Sequence, residues 1–172
     1  VYFIGRHHPM VREALADVND ADLPNLCVVN SSVLGGLLAG EILDMAGPGF
    51  TKVQYSNSGA ESNEVAIRFA RFCTRKRRFL HMKGSFHGRT FGAISLCGFK
   101  EMNEGMDPKM PTCTPITPND YDELRYELSK GDVAGVFYEA CQGMTLTAFW
   151  KANQLWPMRP RPVCTSSAST MA

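Results

Sequence analysis

Two short glycine-containing segments carry the residues of this chain that are best suited to chemistry. The first, Asn-Ser-Gly-Ala-Glu at 57–61, opens a predicted helix, where backbone N–H groups without intrahelical partners can bind an anion. The second, Gly-Ser-Phe-His-Gly at 84–88, follows a predicted strand and places an aromatic ring, Phe86, beside an imidazole, His87. A planar ligand with a phosphate group would use the first segment as a cradle and the second as a flat face.

Each segment also has an interpretation that needs no ligand. Ser58 followed three residues later by Glu61 is the sequence pattern of a capping box, which fixes a helix start by itself. Phe86 could be a core side chain at a strand end, and a single histidine such as His87 is typical of a loop or the surface. The cap and the anion site are compatible, because Gly59 lets a phosphate approach N–H groups that Ser58 leaves unused.

A carboxylate and an amide follow the apolar run at 133–138, which predicts a strand buried on both faces of a parallel sheet. Ligands bind at the carboxyl ends of strands in such sheets. Glu139 and Gln142 could therefore orient a cofactor hydroxyl or meet a basic group. The alternative is a surface glutamate that begins a loop.

Helices and strands alternate along the chain, which predicts an α/β fold with a mostly parallel sheet and flanking helices. The predicted helices are 9–19, 31–45, 59–74 and 120–129, and the predicted strands are 51–56, 77–83 and 133–138. The proline-rich stretch 100–119 is predicted to be a surface loop. Helix 59–74 is expected to turn Ala66, Phe69, Ala70 and Cys73 to one side, and Glu64 to pair with Arg68 on the other.

The composition indicates a globular protein and excludes several other classes. The 172 residues are 44% apolar and 20% charged, and the net charge of +1 gives no reason to expect nucleic acid or a membrane as partner. No apolar run approaches the roughly 20 residues that cross a bilayer. Six scattered cysteines predict reduced thiols, no metal site and an intracellular protein, cytoplasmic or mitochondrial. A start at Val1 indicates a chain cut from a longer one.

Taken in order and spacing, these segments resemble the class III pyridoxal-phosphate aminotransferases, which include ornithine, acetylornithine and 4-aminobutyrate aminotransferases. Three parts of the sequence carry the resemblance: 57–71 is similar to the family's phosphate-binding helix, 84–93 to its stacking loop, and 132–139 with Gln142 and Gly143 to the strand that ends in Glu-Pro-x-Gln-Gly. The resemblance implies part of a fold-type-I large domain over 1–156, followed by a divergent, disordered tail at 157–172.

The resemblance also implies a cofactor, pyridoxal 5'-phosphate, which a phosphate cradle beside a flat aromatic face indicates as well. The residues it assigns to this cofactor are Ser58, Gly59, Ala60, Phe86, His87, Glu139 and Gln142. By resemblance, the first three would hold the phosphate, and Phe86 would stack on the pyridine ring with His87 beside it. Glu139 would be the switchable carboxylate near the substrate, and Gln142 would lie close to the phenolic oxygen.

The chain departs from the family pattern beyond Glu139, where Ala140 stands in place of proline, and nothing after Trp156 is similar to the family. Neither the lysine that forms the Schiff base nor the aspartate that pairs with the pyridinium nitrogen occurs. The resemblance therefore implies part of an enzyme that moves an amino group from an amino acid or amine to a 2-oxo acid. With no catalytic residue of its own, the chain is expected to be inactive alone and to pair as a homodimer or with a full-length subunit.

Two other hypotheses stay open at this point. The chain could be a non-catalytic paralogue that binds pyridoxal phosphate or phosphate, or that pairs with another subunit. It could also be a general phosphate-binding α/β domain. That domain would bind inorganic phosphate and nucleotides as well as the cofactor, and Phe86→Ala would hardly change its binding.

Overall fold

In the computed structural model the described residues are 4–23, 32–143 and 147–148, and they fall into two units that meet in the sequence between Tyr55 and Ser56. The tail predicted at 157–172 lies outside the described residues. Within those residues, no helix combines the length and the apolar character that a membrane span requires.

The first unit contains two helices, and both were predicted. Helix α1 is Pro9–Asp20, with its proline in the first turn, and helix α2 is Val33–Ala46. The Ser32 side chain caps α2 by accepting the N–H of Gly35, and the hydroxyl of Tyr55 donates to the Gly35 carbonyl at 2.7 Å. No residue of α2 is buried, although the sequence places apolar side chains along it.

The strand predicted at 51–56 is wrong, because the structure has no strand there. A strand needs a neighbouring strand for its backbone hydrogen bonds. In the described part of the first unit no such neighbour exists, so a short run of β-prone residues does not form a strand there.

The second unit is built on a parallel sheet of three strands in the order β2-β1-β3. Its elements in chain order are α3 Gly59–Thr74, β1 Arg78–Met82, α4 Phe91–Ser95, α5 Lys100–Asn103, β2 Cys113–Ile116, α6 Tyr121–Ser129 and β3 Val133–Phe137. A short antiparallel pair, β4 Cys141–Gln142 and β5 Thr147–Ala148, follows. The predicted helices 59–74 and 120–129 and the strands around β1 and β3 are confirmed.

Strand β2 and helix α5 correct the predicted loop at 100–119. The prolines of this stretch argued against a strand, and Pro115 does lie inside β2. It is tolerated there because β2 pairs only with β1 and forms an edge of the described sheet. The N–H that proline lacks is not needed for hydrogen bonds to a second neighbouring strand.

Successive residues of β1 pack on opposite faces of the sheet. Phe79 contacts Ile67 and Ala70 of α3, and Leu80 packs with Ile116 and with Leu124 of α6. Both β1 side chains are fully buried. The sheet therefore has a helix on each side, as the alternation of elements predicts.

Helix α3 turns part of the predicted face to this core, because Ala70 is buried and Ala66 packs against the core, but Phe69 and Cys73 are not buried. Its buried residues are Asn63, Ile67 and Ala70, whereas Phe69 is 47% exposed and Cys73 is also exposed. The predicted ion pair between Glu64 and Arg68 is absent among the described residues, because Glu64 instead binds the start of α4. Contact with α4 and the sheet, and not the sum of apolar side chains, decides which face is buried.

Arg78 joins the amino-terminal end of β1 to two neighbouring elements. Its guanidinium donates to the Glu127 carboxylate of α6 at 2.5 Å, to the Glu127 carbonyl at 2.9 Å, and to Asp132 before β3 at 2.7 Å. The guanidinium holds the pKa of Asp132 below its usual value, and the pKa of Glu127 is lowered first by Lys130 and then by Arg78. One side chain thus fixes β1 against α6 and β3.

Replacing Arg78 should destabilise the sheet more than replacing an exposed arginine. Arg78→Gln removes the guanidinium from a side chain that is only 12% exposed, and solvent around Asp132 limits the expected loss of unfolding free energy to about 1 kcal/mol. Arg125→Gln is the control, since its pair with Asp122 is 68% and 96% exposed and should contribute less than about 0.5 kcal/mol. Urea unfolding measures both; equal losses would contradict the role given to Arg78.

Candidate functional site

The start of α3 keeps two backbone donors free. Ser58 is the N-cap, and its hydroxyl accepts the N–H of Glu61 at 3.2 Å. The Glu61 carboxylate reaches back to the N–H of Asn57 at 2.7 Å, one residue earlier than in an ordinary capping box. In the described part of the chain, the N–H groups of Gly59 and Ala60 have no hydrogen-bond acceptor. The predicted cap is confirmed, and it leaves these two N–H groups unpaired; the anion cradle stays a prediction.

The loop at 84–88, which we call the stacking loop, packs directly against this helix start. A Cβ on Gly88 would lie 2.5 Å from the Cβ of Ala60, and Gly88 has a φ of +123°, which side-chain-bearing residues rarely adopt. The buried amide of Asn63 donates to the His87 carbonyl at 2.7 Å. These contacts bring the two sequence motifs into one neighbourhood.

Glu139 and Gln142 hold the other side of the stacking loop. One oxygen of Glu139 accepts the N–H of Phe86 at 2.6 Å, and the other accepts the N–H of Gly143 at 3.3 Å. The amide of Gln142 donates to the Lys83 carbonyl at 3.1 Å. Both side chains are nearly fully buried, at 4% and 2% exposure. The alternative of a surface glutamate is therefore wrong, and Glu139 follows a buried strand as predicted.

The contacts of Glu139 give it a structural task in this chain. Burial raises the pKa of Glu139, and the N–H groups of Phe86 and Gly143 offset part of that rise. Because both carboxylate oxygens have backbone donors, Glu139 fixes the stacking loop. The role of a switchable carboxylate near the substrate stays a prediction from resemblance.

His87 lies in a loop but is buried, which rules out the surface position that its ligand-free interpretation allowed, and His81 of β1 is buried as well. The ring of His87 meets Phe137 edge-on at 5.7 Å, and its Nε2 is buried without a partner. The backbone N–H of His87 donates to the Cys97 sulfur at 3.4 Å. Burial lowers the pKa of His87 to about 4 and that of His81 to about 4. His87 is therefore a neutral imidazole near pH 7 and supplies no positive charge to a bound anion.

With this geometry in view, comparison with known proteins identifies the family. The family model for class-III aminotransferases matches residues 1–150. The chain belongs to the class-III aminotransferase family.

The chain is similar to several members of this family and covers only part of each. It is 32% identical over 119 residues to the acetylornithine aminotransferase of Listeria innocua. The matched region covers 69% of this chain and 30% of that protein. It is 42% identical over 91 residues to the Bacillus cereus enzyme of the same name, spanning 53% of the chain and 23% of the relative. The structure of ornithine aminotransferase from Toxoplasma gondii superposes with a TM-score of 0.71 at 25% identity, covering 81% of this chain and 34% of that one.

The fold is accordingly that of fold-type-I aminotransferases, in agreement with the sequence prediction. The chain spans about a quarter to a third of the length of the relatives described above. The described residues correspond to one part of these aminotransferases, and this part contains the helix start and the stacking loop.

Three residues of this class-III aminotransferase chain position the site and were not predicted to do so. Asn63 binds the stacking loop, Gly88 permits its close approach, and Glu64 accepts the N–H groups of Gly92 at 2.7 Å and Ala93 at 3.2 Å. An asparagine inside a helix is an unfavourable choice for helix propensity, which was the available signal for Asn63. Glu64 gave no such signal, because glutamate is common on exposed helix faces.

Substituting Gly88 should separate the stacking loop from the helix start. Gly88→Ala combines an unfavourable φ with a clash against Ala60, and we expect it to cost about 2–4 kcal/mol of unfolding free energy. Gly105→Ala is the matched control, because Gly105 has a φ of +73° and open space around it, so it should cost only about 1 kcal/mol. Thermal or urea unfolding of both variants checks this, and equal costs would show that the close approach does not matter.

The two buried histidines should make the fold sensitive to mild acid. Their folded pKa values near 4 lie below the ordinary value of 6.5, so the unfolded chain takes up protons first. The contribution of each imidazole to the unfolding free energy is fully present above pH 6.5. It is lost as the pH drops towards 4, by up to about 3 kcal/mol for each imidazole. The raised pKa of Glu139 acts in the opposite direction.

Unfolding free energy measured between pH 7 and pH 4 tests this expectation. The double variant His81→Gln with His87→Gln should show a much flatter profile than the unsubstituted chain. His7→Gln, at an exposed position, should keep the original slope. A double variant with an unchanged slope would contradict the assignment of the acid sensitivity to these two side chains.

Proposed function

We propose that this chain binds pyridoxal 5'-phosphate as part of an aminotransferase that moves an amino group from an amino acid or amine to a 2-oxo acid. The observation that carries the proposal is the close approach of the stacking loop to a helix start with two unpaired N–H groups. Among structural relatives, the Toxoplasma gondii ornithine aminotransferase holds pyridoxal phosphate at its active site. We further propose that residues 1–156 are part of a large domain and that 157–172 form a divergent tail.

The residues at the start of α3 fit a phosphate group. Gly59 and Ala60 offer backbone N–H groups at the positive end of a 16-residue helix, and Gly59 has no side chain to obstruct them. The nearest acidic side chain, Glu61, binds the N–H of Asn57 and is thereby occupied. Ser58, Gly59 and Ala60 would hold the phosphate.

The stacking loop would supply the face for the pyridine ring. Phe86 lies on this loop, and its own N–H is fixed by Glu139, so its backbone position is set before any ligand arrives. His87, the next residue, and Gln142, after β3, are both buried and complete the proposed set. When bound, the cofactor would provide an electron-withdrawing ring for the reacting amino compound. The residues of this chain would bind and orient that ring.

Transfer by this chain alone is not part of the proposal. The lysine that is nearest the stacking loop in sequence is Lys83, and its ammonium donates to the Thr117 hydroxyl at 2.9 Å, whereas its carbonyl accepts from Gln142. None of the seven lysines stands in the sequence context of the family's Schiff-base lysine. We therefore propose that binding by these residues is non-covalent and that amino transfer requires further residues.

Equilibrium dialysis of pyridoxal phosphate against the purified 172-residue chain tests the proposal. Pyridoxal, which lacks the phosphate, should bind much more weakly, and Phe86→Ala should weaken binding about tenfold through the lost ring contact. Phe69→Ala, at an exposed position of α3, is the control and should leave affinity unchanged. Equal affinity for inorganic phosphate and pyridoxal phosphate, with no effect of Phe86→Ala, would instead support a general phosphate-binding domain.

The same preparation should show no amino transfer from a panel of amino acids and amines to 2-oxoglutarate or pyruvate. Retained binding without transfer is the expected combination. Robust transfer by the 172-residue chain would overturn the proposal that it lacks a catalytic residue.

A further inference from the structure

Positive charge is concentrated in one part of a chain whose net charge is only +1. Between residues 65 and 100 there are nine lysines and arginines and no aspartate or glutamate. Three consecutive basic residues, 75–77, form the turn between α3 and β1, and a fourth, Arg78, begins β1. This turn lies at the amino-terminal end of β1, whereas the stacking loop follows its carboxyl-terminal end.

A cavity of about 500 Å³ lies at this turn. We call it the basic cavity, and its lining residues are Arg71, Arg75, Lys76, Arg77, Pro111 and Thr112. Four of these six side chains are cations and none is a carboxylate. The volume falls within the range of small-molecule sites.

The four cations have no carboxylate partners among the described residues. Glu127 and Asp132, the acidic groups that meet this end of the sheet, are already bound by Arg78, and Glu127 also by Lys130. Arg78 is thus neutralised, and the cations of the basic cavity are not. Like charges held near one another repel, and an anion placed between them would relieve that repulsion.

Two of the arginines are held in place by uncharged groups. The Arg71 guanidinium donates to the Arg77 carbonyl at 3.2 Å and lies 5.3 Å from the centre of the Phe79 ring. Its Nε is buried and has no hydrogen-bond partner. The Arg75 guanidinium lies 4.8 Å from the centre of the Phe72 ring. These contacts fix the side chains and leave N–H groups available for an acceptor.

The carboxyl-terminal end of α3 lies at the same place and opposes an anion. A helix end carries about half a negative charge, however, whereas the cavity has four full positive charges. The N–H of Arg75 also binds the Arg71 carbonyl and satisfies one of the terminal acceptors. The cations therefore determine the sign of the potential in the cavity.

We propose that the basic cavity binds a small ligand that carries two or more phosphate groups. Guanidinium and ammonium groups form strong, charge-assisted hydrogen bonds with phosphate oxygens. The four positive charges of the basic cavity exceed the negative charge of a single phosphate group, which favours a ligand with more than one. The site is separate from the proposed cofactor site and does not depend on it.

Isothermal titration of the purified chain with inorganic tripolyphosphate tests the proposal. The variant Lys76→Gln with Arg77→Gln removes two exposed side chains whose backbone contacts remain, and it should weaken binding by about tenfold. The control, Lys52→Gln with Arg125→Gln, removes the same charge from exposed positions elsewhere and should change affinity by less than twofold. Circular dichroism confirms that both variants are folded.

Saturating pyridoxal phosphate should leave tripolyphosphate binding intact, because the two ligands would occupy different ends of β1. Displacement by pyridoxal phosphate would place the probe in the cofactor site and overturn the proposal. An equal loss in both double variants would reduce the effect to net charge and would also overturn it. Binding of heparin without binding of tripolyphosphate would overturn the proposal as well.

Discussion

The hydrogen bonds that Glu139 accepts from the backbone are the constraint on which the site depends. The stacking loop has no regular secondary structure, so groups outside it must fix its course. Glu139 holds the N–H of Phe86, and Gln142 holds the carbonyl of Lys83. A buried carboxylate loses hydration and has no ion pair among the described residues, which is why its pKa is raised. The hydrogen bonds that it accepts from backbone N–H groups offset that cost and hold the loop in place.

Sheet topology explains why these groups meet. β1 and β3 are adjacent and parallel, so the chain leaves both strands at the same edge. The stacking loop continues from one strand, and Glu139 and Gln142 follow the other. Helix α3 then joins from the opposite side through Asn63 and the contact between Gly88 and Ala60. A site of this kind needs one parallel strand pair and one helix start, which is what this part of the large domain supplies.

Local sequence patterns predicted the elements of the site better than its contacts. Helix α3, its Ser58 cap and the strand before Glu139 follow from capping and apolar patterns within a few residues. The burial of His81 and His87, the Glu64 contact with α4 and strand β2 all depend on which segment packs beside them. Pro115 in β2 is acceptable only because that strand is an edge, and a single sequence does not show where the edges are. A phosphate cradle and a flat aromatic face could be inferred from residue types, whereas the switchable role of Glu139 and the place of Gln142 beside the phenolic oxygen came from family resemblance.

The two phosphate sites proposed at the ends of β1 would attract their ligands by different physical means. At the carboxyl end, oriented N–H groups of Gly59 and Ala60 act over a short range, and a neutral His87 adds no net charge. At the amino end, full charges on Arg71, Arg75, Lys76 and Arg77 act over a longer range and are screened by salt. The first arrangement selects a ligand by shape and the second by charge. The net charge of +1 therefore does not reveal the local concentration of positive charge on which the second proposal rests.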